Sequence, residues 1–302
     1  MKDPIRTILV PVDFTEKSNN AVKMAIHMAI RHNARIILFH NINSFYVIDR
    51  TGKQVIGGDT INEAAYNAEL TLNKLRNSLH DLYSDLRFDA IITNDSLLYS
   101  LNQIIDKEKV DLVVTGTSGR QKFLQFFLGS VSYELLTGAH CSVLLVPEDC
   151  HKYIFDKILV PVRVLDHLNE KLALSLSIAK KNKGVISLLG ICSEDDLVNI
   201  KDAYQVLKKN LSDESAAYTS EFLLTRDKAI QISKFSKYDN ADIIMLNYHD
   251  EESLKSIFAE NFLKQIINNT NIPLFFLKHT AENNKINDEG NAGFDITLPC
   301  PG

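Results

Sequence analysis

Ile8-Leu9-Val10-Pro11-Val12-Asp13 recurs 150 residues later as Ile158-Leu159-Val160-Pro161-Val162-Arg163, and this pair of hexapeptides decides the fold. The same offset lays Ala34–Asn41 (ARIILFHN) over Gly184–Ile191 (GVISLLGI). Further on, Asp111-Leu112-Val113-Val114 recurs as Asp242-Ile243-Ile244-Met245, now at an offset of 131. That second register holds without a gap to Val143-Leu144-Leu145-Val146 over Leu274-Phe275-Phe276-Leu277. Two ordered registers describe a tandem duplication in which the second copy is 19 residues shorter between its second and fourth strands.

Within the first copy, Ile5–Val12, Arg35–Ile42, Phe88–Thr93, Val110–Thr115 and Ser142–Pro147 are strand-length runs rich in Val, Ile and Leu. They are apolar without alternation, as parallel strands buried on both faces must be. Between them, Ser18, Ala21, Val22, Ala25 and Ala29 follow helical spacing, as do Ala68, Leu72, Leu75, Leu79 and Leu82. Thr60-Ile61-Asn62-Glu63 has the form of a capping box opening this second helix. Leu97, Leu98, Leu101, Ile104 and Ile105 mark a third helix, Ser130 opens a short fourth, and Gly138 reads as its C-cap. The second copy repeats the pattern, with strands near Lys157–Val162, Val185–Ile191, Tyr218–Leu224, Ala241–Asn247 and Pro273–Lys278. The expected fold is α/β: two tandem doubly wound, Rossmann-like domains, each with a five-stranded parallel sheet. Their expected bounds are 1–149 and 154–279. Cys150-His151-Lys152-Tyr153 leaves almost no slack between them, and the polar segment 280–302 reads as a disordered tail.

With 33 basic and 38 acidic residues, a net charge of −5 argues against nucleic acid as the main partner. The four cysteines form no C-x-x-C pair, the histidines no H-E-x-x-H, and no apolar run is long enough to span a membrane. A reducing cytoplasm is the expected setting.

In an open parallel sheet, ligands sit at the carboxyl ends of the strands where the winding direction reverses. Asp13 directly follows the first strand there. Gly116, Gly119, Gly129 and Ser130 follow the fourth, as GTSG-RQKFLQFFL-GS. Glycines let the backbone approach an anion, and a helix opening at Ser130 would add its unpaired N–H groups, so a phosphate chain is the natural occupant. Asp13 supplies an acceptor suited to ribose hydroxyls. Taken singly, each residue also has a plain structural reading: a strand end, a helix cap, a helix start.

The pattern Gly116-x2-Gly119-x9-Gly129-Ser130, with Asp13 at the first strand and the closing Cys141-Ser142-Val143-Leu144-Leu145-Val146-Pro147, resembles the ATP-binding signature of the universal stress protein family. The resemblance covers Ile5 to Pro147 closely and Lys157 to Lys278 more loosely. It implies an adenine nucleotide alpha hydrolase-like fold and a cofactor ATP, or ADP or AMP, with Mg held through Asp13 as an option. It places Pro11, Val12 and Asp13 on the nucleoside side, with Asn41 where a valine usually meets adenine. Thr115, Gly116, Gly119 and Arg120 would line the phosphates from one side, and Gly129, Ser130, Val131 and Ser132 from the other. Ser118 stands where the family often has histidine. The family's habit of pairing last strands across a dimer implies that Val143–Val146 and Leu274–Leu277 pair within the chain as a pseudo-dimer, with a further homodimer left open.

At the corresponding places the second copy has Arg163 for Asp13, Asn247 for Gly116, Asp250 for Gly119, Glu260 for Gly129 and Asn261 for Ser130. An arginine donates and cannot accept, and the two acids would repel phosphates, so this copy is expected to be degenerate, a different ligand at Arg163 being the alternative. No P-loop, kinase set or nucleophile elbow is present, so no catalytic residue is named. Three functions remain: an ATP-binding stress-response regulator acting through an unidentified protein partner, a slow ATPase or phosphotransferase, and an interaction scaffold without turnover.

Overall fold

The computed structural model describes residues 4–42, 47–48, 54–55, 58–117, 130–248 and 257–278. The first copy contributes β1 (Thr7–Pro11), α1 (Glu16–His32), β2 (Arg35–Asn41), the short β3 (Val47–Ile48) and β4 (Gln54–Val55), and α2 (Gly58–Leu82). It continues with β5 (Phe88–Thr93), α3 (Leu97–Glu108), β6 (Leu112–Thr117), α4 (Ser130–Gly138) and β7 (Ser142–Pro147). The second contributes β8 (Lys157–Val162), α5 (Leu168–Asn182), β9 (Val185–Cys192), α6 (Leu197–Asp213) and β10 (Tyr218–Leu224). It closes with α7 (Lys228–Tyr238), β11 (Ile243–Asn247), α8 (Ile257–Asn269) and β12 (Leu274–Leu277).

Ten strands form one sheet in the order β10-β9-β8-β11-β12-β7-β6-β1-β2-β5. Each half is wholly parallel, and the only antiparallel ladder in this sheet joins the halves: Leu274 pairs with Leu145, Phe275 with Leu144 and Phe276 with Val143. The expected pairing of the two last strands is therefore the seam of the molecule. It buries apolar strands that would otherwise present an open edge.

Successive strand residues feed opposite cores. Ile8, Val10, Leu144, Ile158 and Phe275 pack with α1, α2, α5 and α6, whereas Leu9, Val143, Leu145, Leu159 and Phe276 pack with α3, α4, α7 and α8. Both cores run across the seam, so the strands are apolar throughout because both faces are covered.

The duplication is visible as equivalent hydrogen bonds. The Asp111 carboxylate accepts the backbone N–H groups of Arg6 and Thr7 at 2.8 and 2.9 Å. Asp242 does the same for Asp156 and Lys157 at 2.7 and 2.9 Å. The repeated aspartate thus ties the start of the fourth strand to the start of the first in each half. The connector lies against α1: Asn20 Nδ2 donates to the Pro147 and Cys150 carbonyls at 2.9 and 3.0 Å, Tyr153 Oη donates to Asn20 Oδ1, and Arg31 donates to the Tyr153 carbonyl at 2.6 Å.

Several sequence expectations shift. The second helix starts at Gly58, ahead of Thr60, so the Thr60–Glu63 box falls inside its first turn instead of capping it. β6 starts two residues after Val110, because Lys109 takes a left-handed cap on α3 and the Val110 N–H still bonds to the Ile105 carbonyl. At its other end β6 runs on through Gly116 and Thr117, which pair with Val146 and Pro147 on β7. Gly138 ends α4 by close packing rather than as a left-handed cap, since a Cβ there would lie 2.4 Å from Leu98 Cδ2. The β3–β4 pair had no counterpart in the sequence reading. The tail from Thr280 lies outside the described residues.

The seam generates a stability prediction. Phe276 is fully buried, and truncating a buried phenylalanine costs about 3–5 kcal/mol. Phe276→Ala should lower unfolding stability by about that amount in denaturant titration; a loss under 1 kcal/mol would mean that the seam carries little of the fold.

Candidate functional site

The strand order reverses between β1 and β6 in the first half, and the residues named from the sequence gather at the carboxyl ends of these two strands. Val12, just past β1, is buried and donates its N–H to the Phe39 carbonyl at 2.7 Å. The chain then turns through Phe14, whose φ of 62° lies in the left-handed region, a conformation that costs a non-glycine residue and is found where a loop is tightly determined.

Asp13 is exposed and organises this turn. Its Oδ1 accepts from Thr15 Oγ1 at 2.5 Å and from the Thr15 N–H at 3.1 Å, while Thr15 Oγ1 accepts from the Ser18 N–H at 3.4 Å as the N-cap of α1. Both Thr15 bonds fall on Oδ1, so Oδ2 has no hydrogen bond among the described residues. Partial burial alone would raise the Asp13 carboxyl, but the Thr15 and Ser18 side chains, the Thr15 N–H and the Lys17 charge outweigh it and hold the group below its ordinary range. Asp13 is therefore an exposed carboxylate whose Oδ1 is held by Thr15.

Gly116 explains why this strand end is glycine. A Cβ built there would lie 2.2 Å from the Lys17 carbonyl oxygen and 2.9 Å from Lys17 Cβ. The first turn of α1 thus rests on the β6 backbone, and no side chain fits between them. The Gly116 carbonyl accepts from Ser132 Oγ at 2.9 Å, which fixes the start of α4 to the same strand end. Ser130 begins α4, and Val131 is about half exposed. Thr115 is buried within β6, so its side chain does not line an open surface. Pro11 ends β1 half-buried. Gly119, Arg120 and Gly129 lie outside the described residues, as does the side chain of Ser130.

Asn41 ends β2 but is turned to β5: its Nδ2 donates to Thr93 Oγ1 at 2.9 Å and to the Asp95 carbonyl at 2.8 Å. What the sequence reading missed is the aromatic neighbour beside Asp13. The Phe14 and His40 rings lie 4.9 Å apart, and His40 Nδ1 is 2.7 Å from the Val12 carbonyl oxygen.

The second half keeps the ladder and changes the chemistry. Gly116 pairs with Val146, and its counterpart Asn247 pairs with Leu277 at the equivalent register. Where Gly116 lets the helix rest on the strand, buried Asn247 bridges the gap by donating its Nδ2 to the Asp166 carbonyl. Helix α5 accordingly starts later, after His167, with no side-chain cap bond. Arg163 lays its guanidinium over the Phe262 ring, 3.8 Å from the centroid, and burial draws its pKa down to about 10. Lys171, at the position of Ala21, is 1% exposed and donates Nζ to the Pro161 carbonyl at 2.6 Å. Lys171 belongs to this second constellation beside Asn247, the expected counterpart of Gly116, although the sequence reading did not mark it; overlaying the two copies at α1 would have shown a lysine in an apolar helix face. Asp250 lies outside the described residues, as do the side chains of Glu260 and Asn261.

The arrangement in the first half defines a tandem doubly wound α/β protein with a carboxylate and a glycine-lined strand end at its switch point. Residues 4–147 match the model of the universal stress protein family. Among curated proteins, a universal stress protein of Methanocaldococcus jannaschii is 24% identical over 143 residues, covering 47% of this chain and 81% of the relative. One from Thermus aquaticus is 28% identical over 141 residues, covering 47% of this chain and 98% of its own length. The crystal structure of a universal stress protein from Archaeoglobus fulgidus superposes with a TM-score of 0.72 at 18% identity, over 92% of this chain and 99% of the other, and so shares the fold of the whole tandem. Its first repeat, residues 4–147, is thus similar to the universal stress protein family along its whole length.

Two outcomes follow from the strand ends. Gly116→Ala must push α1 off β6 against backbone atoms, which should cost about 1–3 kcal/mol of stability, the range for overpacking a tight contact; thermal unfolding measures it, and an unchanged Tm would show that the contact is slack. For Lys171, burial first and the Arg163 charge second lower the folded pKa from 10.5 to about 7. The unfolded chain then binds more protons across that interval, so stability should rise with pH from about 7 upward. Comparing Tm of the native protein and Lys171→Met as pH is raised tests this; parallel curves would mean that Lys171 titrates normally.

Proposed function

We propose that the first repeat binds one adenine nucleotide per chain, ATP or its products ADP or AMP, and that the protein acts by this binding rather than by turnover. The observation that carries this reading is the open Oδ2 of Asp13 beside the Gly116 strand end, with the partner oxygen already fixed by Thr15. A carboxylate so oriented suits ribose hydroxyls, and a charge-assisted bond to it is worth about 1.5–3 kcal/mol. Phe14 and His40 supply the flat surface for a base that Asn41 does not. Gly119, Arg120, Gly129, Ser130, Val131 and Ser132 would hold the phosphates, through backbone N–H groups and the arginine charge.

Among the described residues no three His, Cys, Asp or Glu side chains form a metal-binding group. Mg would enter with the phosphates, with Asp13 as its one acidic neighbour. Binding is favoured over hydrolysis because the Ser132 hydroxyl is committed to the Gly116 carbonyl, which leaves it no role as an activated nucleophile. In this reading residues 1–149 form the nucleotide unit and 154–279 its degenerate partner. The whole is a cytoplasmic regulator whose protein partner reads the loaded state. No helix among the described residues is long and apolar enough to cross a membrane.

Calorimetric titration of the full chain with ATP and Mg should give a stoichiometry near one, and Asp13→Ala should weaken affinity by about tenfold to a hundredfold, the equivalent of about 1.5–3 kcal/mol. Two equivalent sites, or undiminished affinity in Asp13→Ala, would overturn the assignment.

A further inference from the structure

Three residues differ between the copies around one switch point of the second repeat. Arg163 follows β8, Asn247 ends β11, and Lys171 on α5 reaches back to the Pro161 carbonyl of β8, where the first repeat has Asp13, Gly116 and Ala21. The strand order reverses between these two strands, which is where an open parallel sheet takes its ligand.

Among the described residues the group has two basic side chains and no acidic one. Lys171 is almost completely buried, and among the described residues its Nζ donates to a single partner, the Pro161 carbonyl. The Arg163 guanidinium has only the Phe262 ring face against it, and no carboxylate pairs with either cation among the described residues. Asn247 is 4% exposed, and its Oδ1 has no hydrogen-bond partner. Buried charge without a counter-ion is costly, and so is a buried acceptor without a donor. A fold that places two such cations and an open acceptor at its ligand crevice is built for an anion.

We infer that the second repeat binds a phosphate group of a small anionic ligand between Arg163 and Lys171, with Asn247 Oδ1 accepting from a hydroxyl of that ligand. A phosphate is favoured over a carboxylate because it offers more acceptor oxygens, and because arginine and lysine together offer more donors than a carboxylate can accept. This site is independent of nucleotide binding in the first repeat. It would give the chain two ligand sites of opposite design, one presenting a carboxylate to ribose and one presenting cations to phosphate.

The test uses the full chain at slightly acid pH, with Tm followed against sodium phosphate, sodium acetate, and sodium chloride at matched ionic strength. Phosphate should raise Tm saturably by several degrees, with little effect from acetate or chloride. The rise should disappear in Arg163→Gln and in Lys171→Met. Should Lys171→Met fail to fold, Arg163→Gln alone decides, because Arg163 follows β8 and belongs to neither hydrophobic core. A saturable rise that persists unchanged in Arg163→Gln places the phosphate elsewhere, the first repeat included, and overturns the inference. So does the absence of any saturable rise. An equal response to acetate would overturn the choice of phosphate.

Discussion

The antiparallel ladder between β7 and β12 is the constraint on which the rest of the molecule depends. Each half ends in a strand apolar on both faces, Val143 to Val146 and Leu274 to Leu277, and neither could be left as an edge. Pairing them makes one sheet of ten strands and merges the helices of both halves into two continuous cores. It also sets the two switch points on either side of a pseudo-twofold, each bounded by a first and a fourth strand. The connector strengthens the arrangement from the outside, since Asn20 and Arg31 on α1 hold its carbonyls and leave the second half no freedom to swing away.

Against that shared frame, the two switch points diverge by a small number of side chains at matched positions. In the first half, glycine at 116 lets α1 settle on β6, so that Asp13 and its Thr15–Ser18 cap stand at the mouth of the crevice. In the second, Asn247 donates a hydrogen bond from its amide to the Asp166 carbonyl just ahead of α5, and the side-chain cap bond is gone. Lysine then replaces alanine on the inner face of α5, and arginine replaces aspartate at the strand end. An acceptor site has become a donor site without moving a strand. This is how a duplicated fold can acquire a second chemistry, because the sheet ladder is set by backbone bonds that are indifferent to which side chain occupies the crevice.

Much of this was legible in the chain itself. The two hexapeptides at 8–13 and 158–163, and the aspartates at 111 and 242, fixed the duplication because identical local folds need identical apolar runs and identical anchors. Element edges were less legible. The start of α2, the limits of β6 and the role of Gly138 depend on caps and on neighbours distant in sequence: Leu98 against Gly138, Val146 and Pro147 against the end of β6. Of the candidate site, Asp13 and Gly116 were readable as residue types in the right places. The tie from Asn41 to Thr93, the Phe14–His40 contact and the bond from Ser132 to Gly116 were not, since each joins residues between 16 and 52 positions apart.

The sequence by itself determined the fold class, the duplication and the loss of the glycine pattern in the second copy. These are properties of periodicity and of one residue compared with its counterpart, which a linear chain displays directly. Only the tertiary structure decided that Thr15 binds one oxygen of Asp13, why position 116 tolerates no side chain, and that Lys171 reaches back to the strand that Arg163 follows. Those facts rest on distances of a few ångströms between segments up to 99 residues apart, and they come into existence only when the strands are laid side by side and the helices close over them.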